Sequence, residues 1–368
     1  MMEDLDYLRT EYKSVVLDKN ELLKTLNLIS KVAHINSSSI ECNSLTFIPN
    51  PNTKTLTLAV TNDLTYFNSK VELLGEKEKC LNKAFSIKVE TLNKLKPYFK
   101  EKILIFMKEN EYYIRLIDGD LLLDTKIPDL TRLSFTTSIN KLILEIPIKS
   151  FSDTLNFYKK VADDYSDKWI SFDGERISLC GLNFYSETKV ITPRMCMLIS
   201  DVDLLTRLEQ YYPEENLKIY STDSKVPKLH IQVGGIEIEI LNVISNINTT
   251  NIEKLSKYVS NSTYEVETEA LNRVLNMATT LSGMERNCIL KIKDESIVII
   301  LKHSKGDSEF NLRTQKLSGE SEQKEVKLNV NILSKLVSSM NSDRLSLTLN
   351  KIYTTIVSDN TKAIILNM

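Results

Sequence analysis

The sequence predicts an α+β protein made of three copies of one unit, each with two helices packed on antiparallel sheets. Three observations carry that expectation. A strand-then-helix pattern recurs at domain-sized spacing, a second helix recurs inside each copy, and glycine-bearing hairpin turns separate runs of β-type residues.

The first helix is the clearest element. A short alternating strand leads into it at SVVLDKNELLKTL from Ser14, ILEIPIKSFSDTL from Ile143 and TYEVETEALNRVL from Thr263. Setting Leu26, Leu155 and Leu275 level places the copies 129 and 120 residues apart. In that register Leu22, Leu26, Ile29 and Ala33 share the spacing of Phe151, Leu155, Tyr158 and Ala162, and Leu271, Leu275 and Ala278 give its first three places. Such spacing puts one apolar stripe on each helix. The second helix follows another short strand, around Leu92, Leu205 and Leu333, and Pro97 stops the first of these three.

Strands are expected at 56–60, 103–107, 112–117, 228–233, 236–241, 289–293, 297–301, 345–349 and 363–366, where apolar residues alternate or run continuously. Turns with positive φ are expected at Asp118-Gly119, Asp173-Gly174, Gly234-Gly235 and Lys305-Gly306. Polar segments near 128–141 and 245–263 read as linkers, and 316–325 as an exposed hydrophilic loop. The expected domains are 13–135, 136–256 and 257–368, behind an N-terminal extension at 1–12.

Composition excludes several function classes. With 47 basic and 49 acidic side chains in 368 residues, 42% of them hydrophobic, the chain is ordinary for a soluble globular protein. Apolar runs reach about five residues against the roughly 18 a membrane helix needs. The N-terminus is charged from its third residue and lacks a signal-peptide core, so a cytoplasmic location is expected. Five cysteines without a C-x-x-C pair, and histidines only at His34, His230 and His303, offer no metal site. No phosphate-cradling glycine loop is present, and no motif sets a nucleophile beside a base. No cofactor, small-molecule substrate or enzymatic activity is expected.

Three copies of a two-helix, many-stranded unit resemble the bacterial DNA polymerase III β subunit, the sliding clamp. TLTLAVTNDLTYFNSKVEL is similar to that family's strand, Thr-x-Asp-Leu turn and next strand. DGDLLLDTKIPDL is similar to its first domain ending, and the terminal AIILNM to its last strand. The resemblance covers 13–368 and implies a head-to-tail homodimer closing into a ring around double-stranded DNA. It further implies a polymerase and a clamp loader tethered through short linear peptides.

A tether that slides holds phosphates loosely and reads no bases. On each first helix, the place two residues after the leading apolar one points about 200° away from it. Lys24 and Arg273 occupy that place, with Asp153 in the middle copy, and Lys31 and Lys160 lie seven residues further on. With Lys94 they form the expected DNA-facing set. The resemblance adds Lys168 and Trp169, which follow the middle copy's first helix. Asp201, Asp203 and Glu209 make the helix around Leu205 the least attractive DNA surface.

The resemblance also implies a peptide pocket, with Ile170 on one wall and Ile364, Leu366 and Met368 on the other. Its shaping segment falls on 180–186, which reads C-G-L-N-F-Y-S and departs from the family's Ala-Thr-Asp-Gly-His-Arg-Leu. Two readings stand side by side: a pocket lined by Leu182, Phe184 and Tyr185 with a changed peptide preference, or a lost site. Ring contacts are implied at Leu121 and Leu123 against Thr280 and Leu281. The alternative function is a clamp-fold adaptor with no DNA inside. Few Gly and abundant Lys, Asn and Ile point to an AT-rich genome, a low-GC bacterium or one of its phages.

Overall fold

A computed structural model describes the chain except residues 1–11, 31, 34–36, 76, 134–138, 163–165, 182–183, 190–193, 224–226, 243–261, 282–286, 294–295, 304–305, 319–324 and 351. The order of elements recurs three times. The first run is β1 (Ser14–Asp18), α1 (Lys19–Ile29), α2 (Ile40–Asn43), β2 (Ser44–Asn50), β3 (Thr55–Thr61), β4 (Tyr66–Glu72), β5 (Phe85–Lys88), α3 (Val89–Leu95), β6 (Lys102–Lys108), β7 (Glu111–Leu116), β8 (Gly119–Leu123) and β9 (Thr125–Lys126). The second is β10 (Ile139–Pro147), α4 (Ile148–Val161), β11 (Ser166–Asp173), β12 (Arg176–Gly181), β13 (Phe184–Lys189), β14 (Arg194–Leu198), α5 (Ile199–Leu208), β15 (Asn216–Thr222), β16 (Lys228–Val233) and β17 (Ile236–Leu241). The third is β18 (Ser262–Glu267), α6 (Thr268–Leu281), β19 (Asn287–Lys293), β20 (Ser296–His303), β21 (Gly306–Arg313), β22 (Gln315–Ser318), β23 (Glu325–Asn329), α7 (Val330–Ser339), β24 (Arg344–Leu349), β25 (Tyr353–Val357) and β26 (Thr361–Leu366). Setting aside α2, β9 and β22, each run is strand, helix, four strands, helix, three strands.

The chain forms two compact units, residues 1–152 with 200–242 and residues 153–199 with 243–368. The first holds a four-stranded sheet, β1-β6-β7-β8, and a nine-stranded sheet, β10-β15-β16-β17-β4-β3-β2-β5-β9. The second holds a nine-stranded sheet, β14-β11-β12-β13-β26-β25-β24-β18-β22, and a four-stranded sheet, β21-β20-β19-β23. Every pairing between these strands is antiparallel. The long sheets explain why the middle run is shared. Its last strand β17 pairs with β4, Ile238 opposite Phe67, while its fourth strand β13 pairs with β26, Tyr185 opposite Ile364. Half of the middle run is thus welded to each neighbour by main-chain hydrogen bonds.

The periodic positions are the core. Leu22, Leu26, Ile29, Leu155, Tyr158, Leu275 and Ala278 have no exposed surface, and Phe151 and Leu271 are buried. Asp18 caps α1, its Oδ1 accepting from the Asn20 and Glu21 amides at 2.7 and 3.4 Å, and Asn329 caps α7 in the same way. The α1 helix ends at Ile29, so Ala33 lies beyond it and is half-buried. The 3-10 turn Lys96–Tyr98 replaces further α-helix at Pro97, which cannot donate to the ladder. The expected loop at 316–325 is corrected in part, because Gln315–Ser318 forms the edge strand β22 on β18. Its residues are polar or exposed, so no alternation marks it in the sequence.

Gly119, Gly174, Gly234 and Gly306 all have positive φ. Gly234 is the most constrained: its φ is 52°, and a Cβ there would sit 2.6 Å from Cε1 of Tyr212. Gly234→Ala is therefore expected to cost about 2 kcal/mol, from left-handed backbone plus overpacking, read as a lower denaturant midpoint at unchanged slope.

Candidate functional site

The helix cations differ in what surrounds them. Lys94 is exposed on α3 and pairs with Glu90 one turn earlier at 2.6 Å. Lys160 near the end of α4 and Arg273 on α6 are exposed. Lys24 is not: its side chain is 15% exposed, pairs with Glu21 at 2.9 Å and lies 4.5 Å from the ring centre of Tyr212. Burial pulls its ammonium down, but the Tyr212 hydroxyl and the Glu21 carboxylate outweigh it and hold the group above its ordinary value. Lys24 is thus corrected from an outward cation to a packed one. The helical wheel could not show it, because the covering ring comes from a residue 188 positions away.

Trp169 is half-buried on β11, opposite Leu198 of β14. Lys31 lies outside the described residues, as does the side chain of Lys168. The acidity of α5 is smaller than its sequence implies. Asp201 is 3% exposed and accepts the Thr65 hydroxyl at 2.7 Å, and Asp203 pairs with Arg207 at 3.4 Å. Both carboxylates are spent inside their own unit.

The expected pocket residues do not all meet. The register runs Ile170 opposite Leu179, Leu179 opposite Ser186 and Ser186 opposite Ala363. Side chains alternate along a strand, so Ile170 and Phe184 share one face of the sheet, and Tyr185, Ile364 and Leu366 share the other. One pocket cannot be walled by both sets, which corrects the single wall-to-wall assignment. Ile170 and Phe184 are core, at 0% and 1% exposure. On the second face Tyr185, Tyr353 and Ile364 form a separate apolar cluster with Leu366 against it. Tyr185 donates its hydroxyl to Glu187 Oε2 at 3.0 Å, and Arg176 Nη1 donates to the same oxygen at 2.9 Å. Leu182 lies outside the described residues. Beyond β26 the Met368 amide donates to the Lys327 carbonyl at 2.8 Å, and the Met368 side chain is 65% exposed. Tyr185 and Leu366 thus remain together on one face, and Met368, two residues beyond β26, is exposed.

Of the implied ring contacts, Leu121 on β8 is 41% exposed and Leu281 at the end of α6 is 51% exposed. Thr280 is exposed, its hydroxyl donating to the Asn276 carbonyl at 2.8 Å. Leu123 is buried in its own unit, so Leu121 and not Leu123 is presented outward. Strand β8 ends the order of one four-stranded sheet and β21 ends the other. Helix α6 packs on β21. Both edge strands are largely exposed.

No helix among the described residues is long and apolar enough to cross a membrane. No family model and no curated relative matches the sequence. The fold does match solved structures. A putative DNA polymerase III beta subunit from Eubacterium rectale superposes with a TM-score of 0.80 over 96% of this chain and 98% of that one, at 10% identity. The sliding clamp of Pseudomonas aeruginosa bound to griselimycin gives 0.79 over 97% and 99%, at 12% identity. The DNA polymerase III beta subunit of Borrelia burgdorferi, in complex with a natural product, gives 0.78 over 98% and 99%, at 14% identity. The architecture is therefore that of a bacterial sliding clamp, α+β with large antiparallel sheets.

Proposed function

We propose that the protein is a DNA sliding clamp: two copies close head to tail around duplex DNA and tether a polymerase and other factors, without chemistry of their own. Three domains, 13–135, 136–256 and 257–368, supply the six segments of the ring, and residues 1–12 precede them.

One observation carries this reading. Within the chain, the last strand of the second run pairs with the fourth strand of the first, and the last strand of the third run pairs with the fourth strand of the second. The junction that would complete the cycle joins the last strand of the first run, β8, to the fourth strand of the third, β21. Each of those two strands is an end strand of its four-stranded sheet. An edge strand invites pairing, and a second copy supplies both missing partners at once in a closed two-fold arrangement. Leu121 and Leu281 flank that junction.

The near-neutral charge, 47 basic against 49 acidic residues, fits retention by enclosure rather than by adhesion. Within the ring Lys94, Lys160 and Arg273 are the cations offered to phosphates, with Lys31, Lys168 and Trp169 as further contacts. The decisive experiment loads the protein onto closed circular duplex DNA and then cuts the circle. A clamp stays on the intact circle and leaves through the new ends; equal loss from both forms overturns the reading. A monomer at every concentration would instead favour the adaptor function.

Partner peptides from a polymerase and a loader are assigned to Tyr185, Leu366 and Met368. Apolar anchors carry most of the affinity of short motifs. Met368→Ala is expected to weaken a consensus bacterial clamp-binding peptide about 10-fold in a fluorescence titration with the melting temperature unchanged, because the side chain is 65% exposed. Ile364→Ala does not serve this purpose. Its side chain has no exposed surface, so truncation there costs about 3 kcal/mol of fold stability.

A further inference from the structure

Each run ends in a strand that is entered by a two-residue turn. Leu116 stands opposite Gly119 across the turn into β8, and Val233 opposite Ile236 across the turn into β17. Across the turn into β26 the Ser358 amide donates to the Thr361 carbonyl at 2.8 Å. Gly119, Ile236 and Thr361 are therefore equivalent first residues, and the two junctions inside the chain are templates for the one between copies.

Both templates are built alike. Ile236 lies opposite Ser69, and Thr361 opposite Thr188. The next residue on each fourth strand is a lysine whose amide donates to the second turn residue. Lys70 donates to the Gly235 carbonyl and Lys189 to the Asn360 carbonyl, each at 3.0 Å. At the first junction Ile238 also lies opposite Phe67, and Lys70 Nζ pairs with Glu237 Oε1 at 2.8 Å. On β21 the matching cation is Arg313. It closes its strand opposite Ser296, the first residue of β20, just as Lys189 closes β13 opposite Arg176, the first residue of β12.

That equivalence sets Gly119 opposite Leu312, Leu121 opposite Phe310 and Leu122 opposite Glu309 of a second copy. The faces agree. Leu121 shares a sheet face with the buried Ile114 and Leu123, and Phe310 shares one with the buried Ile299 and Leu312. The two would meet as Ile238 meets Phe67. The charges agree as well, because Asp120 and Arg313 are exposed and fall where Glu237 and Lys70 form their pair. Sliding the strands by one residue would turn Leu121 to the wrong face. Sliding by two in one direction sets Asp120 opposite Glu309 and Leu121 opposite Ser308, and like charges directly opposite are destabilising. Sliding by two in the other direction carries Gly119 past Arg313, where β21 ends.

We propose, resting on the ring reading above, that β8 receives β21 of a second copy in this one register. Leu121 packs on the partner's Phe310, and Asp120 pairs with the partner's Arg313. Asp120 already accepts from Arg115 Nε at 2.8 Å in its own chain, so the closed junction holds this carboxylate between two guanidiniums. The pair specifies which residues meet, while the apolar contact supplies most of the attraction.

The test is a cysteine scan of the full chain at positions exposed in the single copy. Leu122→Cys is combined in turn with Asp307→Cys, Glu309→Cys and Asn311→Cys, and each protein is mildly oxidised and run on a non-reducing gel. Residues directly opposite have Cβ atoms about 5 Å apart and diagonal ones about 7–8 Å, so the Glu309→Cys combination should cross-link at least about 5-fold faster than the others. A charge exchange reads the ion pair separately. Arg313→Asp and Asp120→Arg should each weaken the dimer about 10-fold over its two junctions, and the two together should restore it to within about threefold of wild type. Faster cross-linking at position 307 or 311 overturns the register and leaves the ring standing. A double exchange no tighter than either single one overturns the pairing of Asp120 with Arg313. A wild-type chain that is monomeric at every concentration, with no cross-link in any combination, overturns the ring reading and the register with it.

Discussion

Leu121→Asp combined with Leu281→Asp is expected to convert a particle of twice 42.1 kDa into one of 42.1 kDa, and to shorten residence on closed circular duplex DNA by at least about 100-fold. Both residues are already half-exposed in the single chain, at 41% and 51%, so the substitutions should change fold stability by no more than about 0.5 kcal/mol. The cost falls on assembly. When β8 of one copy meets β21 of the other, an aspartate in place of Leu121 or Leu281 must leave water without a partner, which costs several kcal/mol. At about 1.4 kcal/mol per tenfold, even 3 kcal/mol per junction raises each dissociation constant about 100-fold. In the proposed head-to-tail ring the two junctions are equivalent by symmetry and fail together. Light scattering reads the mass, and release from circular and cut DNA reads the residence. A double variant that still runs at the wild-type dimer mass, or leaves intact circles at the wild-type rate, sinks the assigned junction.

How much of this was legible in the sequence depends on the range of the interaction involved. The first helix of each run was readable because helix period and core burial are local. Leu26, Leu155 and Leu275 fall where the spacing puts them, and all three have no exposed surface. The strands at 228–233 and 236–241 were readable for the same reason, with Gly234 marking the turn between them. Strand β22 was not, because its four residues are exposed and carry no apolar period. Lys24 was misplaced because Tyr212, which covers it, belongs to a distant part of the chain. Asp201 was counted as surface charge because nothing local shows that Thr65 hydrogen-bonds to it across 136 residues. The peptide pocket failed in a different way. Assigning residues to a wall by likeness ignores strand parity, and a shift of one residue sends a side chain to the opposite face. Phe184 and Tyr185 are neighbours in sequence and lie on opposite faces of the sheet.

The same distinction between local chemistry and topology yields the last prediction. Lys94→Ala, Lys160→Ala and Arg273→Ala together remove three exposed cations from each copy, so a closed dimer loses six. Each phosphate contact contributes about 0.9 to the slope of log affinity against log salt, so binding to linear duplex should show a slope shallower by up to about 5. Affinity for linear DNA at low salt should drop by more than tenfold in consequence. Residence on a closed circle at 0.15 M salt should change by less than about twofold. Escape from the proposed ring requires a junction to open, and the Debye length of about 8 Å already screens exposed lysines from phosphates they do not touch. A protein that holds DNA by adhesion would lose both quantities in proportion, because the same contacts would set both. The triple variant therefore separates enclosure from attraction without disturbing the junction at β8 and β21. Parallel loss of linear affinity and circular residence would leave the ring without a role in retention.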